Sequence, residues 1–295
     1  MADRMDIAVE SAGAVLAGSV WLPDGRPVGV VLMHPGSGPS TRDNDVYFPP
    51  IRAAMLGWGY AVSSFDKRGV GESSGDYHDT SIESQAADAA RCLTRLEEMF
   101  PDQAVGIFGH SQGGWVAIDV AATYGPVEFV ISNSGPGVGP AAQERFRMSI
   151  QADDLTSTQG VAELFDDLVG LAIDDADYDE ACSVVAAHPE AIRFYTEYLE
   201  GGPDAWELEK ALFAYDPAPM IQRVESPVLV IYGRSERVVP VDDSVAEFAR
   251  LLPTAQIVVL TGGDHRLQDE GGRFVRGYLE TVRTFLDGLC LHHLS

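Results

Sequence analysis

Residues 104–115 read AVGIFGHSQGGW, an apolar run that passes directly into a serine flanked by glycines. The apolar part, Ala104–Phe108, is typical of a strand buried on both faces. The residues that follow, Trp115–Tyr124, have the pattern of a helix. Residues 109–113 (GHSQG) lie between them and match G-x-S-x-G, a serine on a tight strand-to-helix turn that small neighbours make possible. The stretch therefore predicts Ser111 as a nucleophile at the edge of a sheet.

A second match, residues 71–75 (GESSG), tests how specific this pattern is. Ser73 comes well after the predicted strand Tyr60–Phe65 and is followed by more polar loop, so the strand-to-helix context is missing. We interpret Ser73 as part of a loop turn.

Strand-like and helical segments alternate on both sides of Ser111. The further predicted strands are Ala14–Leu22, Gly29–Met33, Tyr60–Phe65, Val127–Ile131, Pro227–Tyr232 and Gln256–Leu260. The further predicted helices are Pro50–Gly57, a helix from Ile82 to Phe100 introduced by Thr80 and Glu83 at capping-box spacing, Asp242–Leu252 and a closing helix Gly271–Leu286. Alternation of this kind predicts an α/β fold with a mostly parallel central sheet covered by helices on both faces.

Negative charge is concentrated in one part of the chain. The 20 Lys and Arg residues stand against 45 Asp and Glu residues, a net charge of −25. Residues 151–215 contain 16 of the acidic and only 2 of the basic residues. This region has helical patches at Gly160–Leu171, Glu190–Leu199 and Trp206–Phe213 and no convincing strand. We predict an inserted helical cap over residues 136–215, with the α/β core formed by residues 1–135 and 216–295.

Composition also excludes classes of function. A chain this acidic repels phosphate backbones and anionic lipid, so neither nucleic acid nor a membrane is an expected partner. Apolar runs fall short of the about 20 residues that span a bilayer, and Met1–Glu10 lacks the pattern of a secretory signal. Cys92, Cys182 and Cys290 have neither disulfide-framework nor zinc-ligand spacing. We expect a cytoplasmic protein without metal or cofactor; the oligomeric state is open, with a homodimer as one candidate.

A serine nucleophile needs a base, and His265 is the best placed of seven histidines. It follows the last predicted strand, at the sheet edge where Ser111 should lie and where ligand chemistry gathers in open α/β sheets. His110 lies beside the serine, and its side chain is expected to point away from it. The remaining histidines lie in other loops (His34 and His78), in the insert (His188) and in the tail (His292 and His293).

The base needs a carboxylate to orient it, and Glu236 is the one nearest the end of the strand Pro227–Tyr232. Asp242 and Asp243 are alternatives, although they are expected to begin the next helix. Asp264 adjoins His265, and such neighbours rarely have the geometry to bond the imidazole. The resulting order, serine, then acid, then histidine, is the α/β-hydrolase order.

Acyl transfer also needs N–H donors for the oxyanion of the tetrahedral intermediate. One should be the N–H of Gln112, the residue after the nucleophile. The second should come from residues 34–39 (HPGSGP), the loop after the early strand Gly29–Met33. Pro35 has no N–H, which leaves Ser37 or Gly36.

Taken together, these segments resemble the serine hydrolases of the α/β-hydrolase superfamily, and bacterial carboxylesterases in particular. The resemblance includes residues 34–43 (HPGSGPSTRD), 65–75 (FDKRGVGESSG), 109–114 (GHSQGG), 233–240 (GRSERVVP) and 262–265 (GGDH). Pro35 is one extra residue in the first segment, and Glu236 stands where Asp is usual.

The expected function is hydrolysis of a small-molecule carboxylic ester, thioester or lactone through an acyl-enzyme on Ser111. Two alternatives stay open: an acyltransferase or cyclase that uses the same triad, and a ligand-binding protein without turnover. Aromatic residues of the insert could line the acyl pocket, or their helical spacing could serve packing of the cap itself: Phe165, Phe194, Tyr198 and Trp206. The acidic balance favours a neutral or cationic substrate.

Overall fold

A mostly parallel sheet forms the centre of the computed structural model, which describes residues 3–125, 127–153, 159–188 and 192–292. Its strands are β1 (Asp3–Ser11), β2 (Ala14–Leu22), β3 (Gly29–His34), β4 (Tyr60–Phe65), β5 (Val105–His110), β6 (Val130–Asn133), β7 (Val228–Gly233) and β8 (Gln256–Leu260). Their spatial order is β1-β2-β4-β3-β5-β6-β7-β8. The pairs β1–β2 and β2–β4 are antiparallel. From β4 to β8 all neighbours are parallel, which confirms the predicted fold class.

Helices cover both faces of the sheet. They are α1 (Phe48–Gly57), α2 (Ile82–Met99), α3 (Gln112–Thr123), α4 (Pro140–Asp153), α5 (Gln159–Ile173), α6 (Tyr178–Ala186), α7 (Ile192–Phe194, followed by a π-helical turn Tyr195–Leu199), α8 (Pro203–Phe213), α9 (Ala218–Arg223), α10 (Val241–Leu251) and α11 (Tyr278–His292). One apolar core joins α2, α3, α9 and α10 to the sheet, and a second joins α1 and α11 to its other face. None of the helices in the described residues has the length and apolar character needed to cross a bilayer.

Five helical segments, α4 to α8, lie between β6 and β7 in the chain, and we call residues 140–213 the helical insert. They pack around a core of their own that includes Leu164, Phe165 and Trp206. The pattern at Gly160–Leu171 and Trp206–Phe213 correctly predicted helices, whereas α4 and α6 were missed. The predicted helix from Glu190 begins in residues outside the described part. The division into a core and a cap domain stays a prediction.

Predictions for three elements, β1, α2 and α11, were incomplete or wrong. The strand β1 was missed because most of its side chains are exposed, so its sequence lacks an apolar run. The cap of α2 is Ser81, whose hydroxyl accepts the N–H of Ser84 while the Ser84 hydroxyl accepts the N–H of Ser81. The closing helix starts at Tyr278 rather than Gly271, because Gly272 and Gly277 have φ of +72° and +91°, outside the right-handed helical region.

Candidate active site

Ser111 occupies the sharp turn that joins β5 to α3. Its φ is +54° and its ψ is −122°, a conformation that non-glycine residues rarely adopt. The turn is possible only with glycine at position 109, where a Cβ would lie 1.8 Å from the Gly113 carbonyl oxygen. At Gly113 a Cβ would lie 2.5 Å from the carbonyl oxygen of His34 at the end of β3. Close backbone packing therefore holds Ser111 beside the loop that follows β3.

Glu236 and His265 form a hydrogen-bonded pair at the same edge of the sheet. His265 Nδ1 lies 2.8 Å from Glu236 Oε2, and the Glu236 side chain is fully buried. The other carboxylate oxygen, Oε1, accepts backbone N–H groups from Arg237, Val238 and Val239. Both oxygens are thus bonded, and the carboxylate has one fixed orientation toward the imidazole.

The loops that carry these two residues are brought together by a close backbone approach. At Gly233, the last residue of β7, a Cβ would lie 2.0 Å from the carbonyl oxygen of Gly263. The same carbonyl accepts the N–H of Ser235 at 2.8 Å. Position 233 must therefore be glycine for the loop after β7 to meet the loop after β8.

The alternative carboxylates have other partners. Asp264 Oδ1 accepts two backbone N–H groups within its own turn. Asp242 forms a surface ion pair with Arg234 at 2.8 Å. Asp243 is exposed in the first turn of α10. Of the carboxylates considered from the sequence, Glu236 is the one bonded to His265.

The other histidines lie in different surroundings. His110 is buried beside His265, with the ring centroids 5.1 Å apart, and its Nδ1 lies 3.3 Å from the Asn133 carbonyl oxygen. Burial, with a smaller contribution from His265, lowers the pKa of His110 well below its ordinary value. Burial and the nearby Lys67 lower the pKa of His34 to about 3. Both rings are therefore neutral at pH 7. His293 is outside the described residues.

Ser111 and His265 line one cavity of about 420 Å³ beneath the helical insert. Gln112 and Ser37 also line it. The helical insert contributes further lining residues, which include Tyr198. A neighbouring cavity of about 280 Å³ shares Ser37, Gln112 and Tyr198 with the first, so together they form a two-part cleft.

The residues predicted to bind the oxyanion surround Ser111. Gln112 is the first residue of α3, so its N–H has no carbonyl partner one turn earlier in the helix. Gly36 packs against the nucleophile, since a Cβ there would lie 3.3 Å from Ser111 Cβ. Ser37, and not Gly36, lines the cavity, which favours the Ser37 N–H as the second donor.

A buried ion pair ties this loop to the segment after β4. Arg42 donates hydrogen bonds to Asp66, among them one from guanidinium Nη2 to Oδ2 at 2.7 Å and one from its backbone N–H to Oδ1 at 2.8 Å. Burial alone would raise the pKa of Asp66, but the Arg42 hydrogen bonds lower it below the ordinary value. Arg42 and Asp66 belong to residues 34–43 and 65–75, two of the segments that resemble the α/β-hydrolase superfamily. The ion pair shows that these segments hold the two loops together. Ser73 is in the same network: its hydroxyl donates to the Asp66 carbonyl and accepts the Ala17 N–H.

The predicted aromatic lining lies mostly elsewhere. Phe165, Phe194 and Trp206 are in the core of the helical insert, where the Trp206 indole donates to the Ala176 carbonyl. Among the four predicted residues, Tyr198 lines the cavity beside Ser111. This placement favours the alternative in which helical spacing serves packing of the insert.

Sequence reasoning did not identify the polar residues of the cavity. Arg147 forms ion pairs with Glu144 and Glu197, and Glu209 lies near them. Burial, followed by the charges of Glu144 and Glu197, raises the pKa of Glu209 to about 7. The acid excess of residues 151–215 includes Glu197 and Glu209, whereas Glu144 and Arg147 lie outside that region and had no sequence signal. Within the described chain, no cluster of three or more His, Cys, Asp or Glu side chains could hold a metal ion.

Comparison with known proteins identifies the family of this chain. The family model described as serine aminopeptidase, S33 matches residues 25–271. A putative carbamate hydrolase of Rhizobium rhizogenes is 22% identical over 246 residues, which cover 82% of this chain and 87% of the relative.

Solved structures show the same fold. An esterase of Pyrococcus furiosus has a TM-score of 0.65 and 17% identity, over 97% of this chain and 90% of its own. The proline iminopeptidase of Mycobacterium smegmatis has a TM-score of 0.66 and 16% identity, over 98% of this chain and 100% of its own. The chain therefore belongs to the serine aminopeptidase S33 family of hydrolases and has the α/β-hydrolase fold.

Proposed function

We propose that this protein hydrolyses small carboxylic esters, or related thioesters and lactones, through an acyl-enzyme on Ser111. The observation that carries the proposal is the 2.8 Å pair between His265 and buried Glu236, at the edge of the cavity that Ser111 also lines. An esterase and a putative carbamate hydrolase among the similar proteins support the same chemistry. The helical insert is proposed to act as the cap over the substrate.

The proposed reaction has two halves. His265 Nε2 takes the proton of the Ser111 hydroxyl as its oxygen attacks the ester carbonyl, and Glu236 stabilises the imidazolium. The backbone N–H groups of Gln112 and Ser37 bind the oxyanion. The C–O bond to the leaving alcohol then breaks and the alcohol takes the proton from His265. Water, activated by the same histidine, attacks the acyl-enzyme and releases the acid and Ser111.

Ser111→Ala is the direct test of this proposal. We expect turnover of p-nitrophenyl butyrate to fall by about 10³-fold or more, because the covalent route needs the hydroxyl. We also expect a fluorophosphonate probe to label the natural protein stoichiometrically and Ser111→Ala not at all, measured by intact mass. Unchanged turnover in Ser111→Ala would contradict the proposal.

Ser73→Ala is the matched control, because Ser73 is the other serine in a G-x-S-x-G sequence. Its hydroxyl makes two backbone hydrogen bonds, so the variant should be less stable by about 1–3 kcal/mol. Labelling by the probe should stay stoichiometric at temperatures where the variant is folded.

A second candidate substrate class is a carbonyl compound with a free amino group. Glu209 lines both parts of the cleft, and no cation among the described residues is bonded to it. The description of the family and the proline iminopeptidase among the structural neighbours agree with this candidate.

The two candidates differ in what N-acetylation of the substrate does. For an amine-binding site, alanine p-nitroanilide should have a kcat/KM at least about 10-fold above that of its N-acetyl form, since a charge-assisted bond is worth about 1.5–3 kcal/mol. Glu209→Gln should remove this preference. Equal kcat/KM values for the free and acetylated substrates would leave ester hydrolysis as the sole candidate.

A further inference from the structure

We propose that Lys67 is a positioning residue of the oxyanion hole, which fixes both donor segments and places an unpaired positive charge behind them. The inference rests on the proposed function, because it assumes an oxyanion bound by the Ser37 and Gln112 N–H groups.

The contacts of Lys67 are the first observation. The residue is buried, and its ammonium donates to the Gly36 carbonyl at 2.5 Å and to Gln112 Oε1 at 2.8 Å. One side chain thus bonds the loop after β3 and the first residue of α3 at the same time. These are the two segments that carry the proposed donors.

The geometry of the peptide bond gives these contacts a consequence. The carbonyl of Gly36 and the N–H of Ser37 belong to one peptide unit, which is trans, so the two groups point in opposite directions. A hydrogen bond that holds the carbonyl therefore also sets the direction of the N–H. An ammonium on the carbonyl oxygen further polarises the unit and strengthens its N–H as a donor.

The neighbours of Lys67 in the chain hold its backbone in place. On one side Asp66 is paired with Arg42 at 2.7 Å. On the other side Arg68 is paired with Asp88 at 2.6 Å. Lys67 therefore projects from a segment anchored at both ends, into the space between the loop after β3 and α3.

Unlike Asp66 and Arg68, Lys67 has no ion-pair partner, because no carboxylate in the described chain is bonded to it. Burying a cation without a counter-ion opposes folding. Consistent with that cost, burial lowers the pKa of Lys67 to about 7. The negative charge that develops on the substrate oxygen would supply the missing counter-charge, so the ammonium would stabilise the tetrahedral intermediate more than the bound ester.

The sequence provides a matched control, since Lys67 and Lys210 are its only two lysines. Lys210 lies in the helical insert and forms ion pairs with Asp175 and Glu207, both at 2.7 Å. A probe that reports on lysine therefore gives one signal from the proposed position and one from a reference position.

The first experiment compares the natural protein, Lys67→Met and Lys210→Met in p-nitrophenyl ester hydrolysis. We expect Lys67→Met to lower kcat by about 10- to 100-fold with KM changed less than about 3-fold, because the interaction forms in the transition state. Affinity for an alkylboronic acid, whose adduct with serine is a tetrahedral anion, should fall in parallel. Lys210→Met should match the natural protein in both. A Lys67→Met variant with natural kcat and natural boronate affinity would overturn the proposal.

The second experiment needs no variant at position 67 and covers the case in which Lys67→Met does not fold. The protein is labelled with ¹³Cε-lysine, and the two signals are assigned with Lys210→Met. Formation of the boronate adduct should raise the pKa of the Lys67 signal by at least one unit and leave that of Lys210 unchanged. A Lys67 pKa that does not respond to the adduct would overturn the proposal, since a purely structural lysine would behave in this way.

Ser111→Ala in the same assays separates the two possible failures. Equal turnover by Ser111→Ala and the natural protein would refute the proposed function and the inference with it. Turnover that depends on Ser111 but not on Lys67 would refute the inference alone.

Discussion

Glu236 shows how much of the proposed chemistry depends on single atoms. Its two oxygens have different partners: Oε1 accepts three backbone N–H groups of its own turn, and Oε2 faces His265 Nδ1. In Glu236→Gln the amide oxygen must take the place of Oε1, because only an oxygen can accept those three groups. The amide nitrogen then faces His265 Nδ1, so that the amide N–H and the imidazole N–H, both donors, oppose each other.

This arrangement predicts a large effect of Glu236→Gln on catalysis. To accept the new donor, His265 must carry its proton on Nε2, where it can no longer take the proton of Ser111. We expect kcat for p-nitrophenyl butyrate to fall by about 10³- to 10⁴-fold with little change in melting temperature.

Asp242→Asn is the control for this substitution, because Asp242 is an exposed acid paired with Arg234. Its kcat should stay within about 2-fold of the natural value. If Asp242→Asn were the slower of the two variants, the assignment of Glu236 as the acid would be refuted.

At the scale of elements, the junction of β5, α3 and the loop after β3 depends on glycines. Gly113→Ala would place a Cβ 2.5 Å from the His34 carbonyl oxygen and 2.7 Å from that of Pro35. The loop that contains Ser37 must then move away from α3. We expect kcat to fall by about 10-fold or more, and the free energy of unfolding to fall by about 1–3 kcal/mol.

Gly170→Ala in α5 provides the comparison, since a Cβ there would meet no atom within 4 Å. It should raise the free energy of unfolding by about 0.5–1 kcal/mol and leave kcat unchanged. Urea denaturation and ester kinetics on both variants give the required values. Natural kcat in Gly113→Ala would show that the close contact between α3 and the loop does not matter for turnover.

At the scale of the whole molecule, buried charge couples stability to pH. The pKa of Lys67 falls from 10.5 to about 7 on folding. Between these two values the unfolded chain binds a proton that the folded chain does not, so this residue makes stability rise with pH. Below about pH 7 the full cost of the buried charge is present.

We therefore predict that the free energy of unfolding of the natural protein increases relative to that of Lys67→Met as the pH rises from 7 to 10. The change in the difference between their free energies of unfolding should be about 2–4 kcal/mol, measured by urea denaturation. Lys210→Met should show no such rise, because its ion pair with Asp175 raises the pKa of Lys210. A constant difference between the natural protein and Lys67→Met across this range would show that folding does not lower the pKa of Lys67.

The sequence alone was sufficient for features that depend on local order. Apolar runs and helical periodicity predicted the α/β fold, and the uninterrupted passage from strand to serine to helix distinguished Ser111 from Ser73. These signals are local because hydrogen bonding within a helix and alternation along a strand involve residues close together in the chain. The same argument failed at the closing helix, whose start is delayed to Tyr278 by the conformations of Gly272 and Gly277.

Only the tertiary structure decided which side chains meet at the sheet edge. Glu236 faces His265 because β7 and β8 approach through Gly233 and Gly263, and no local pattern contains that contact. Lys67 reaches Gln112 across 45 positions in sequence. Tyr198 lines the cavity because of how the insert packs. Each contact joins parts of the chain that are distant in sequence. Their relative placement follows from strand order and close packing, and the periodicity of any one segment contains neither.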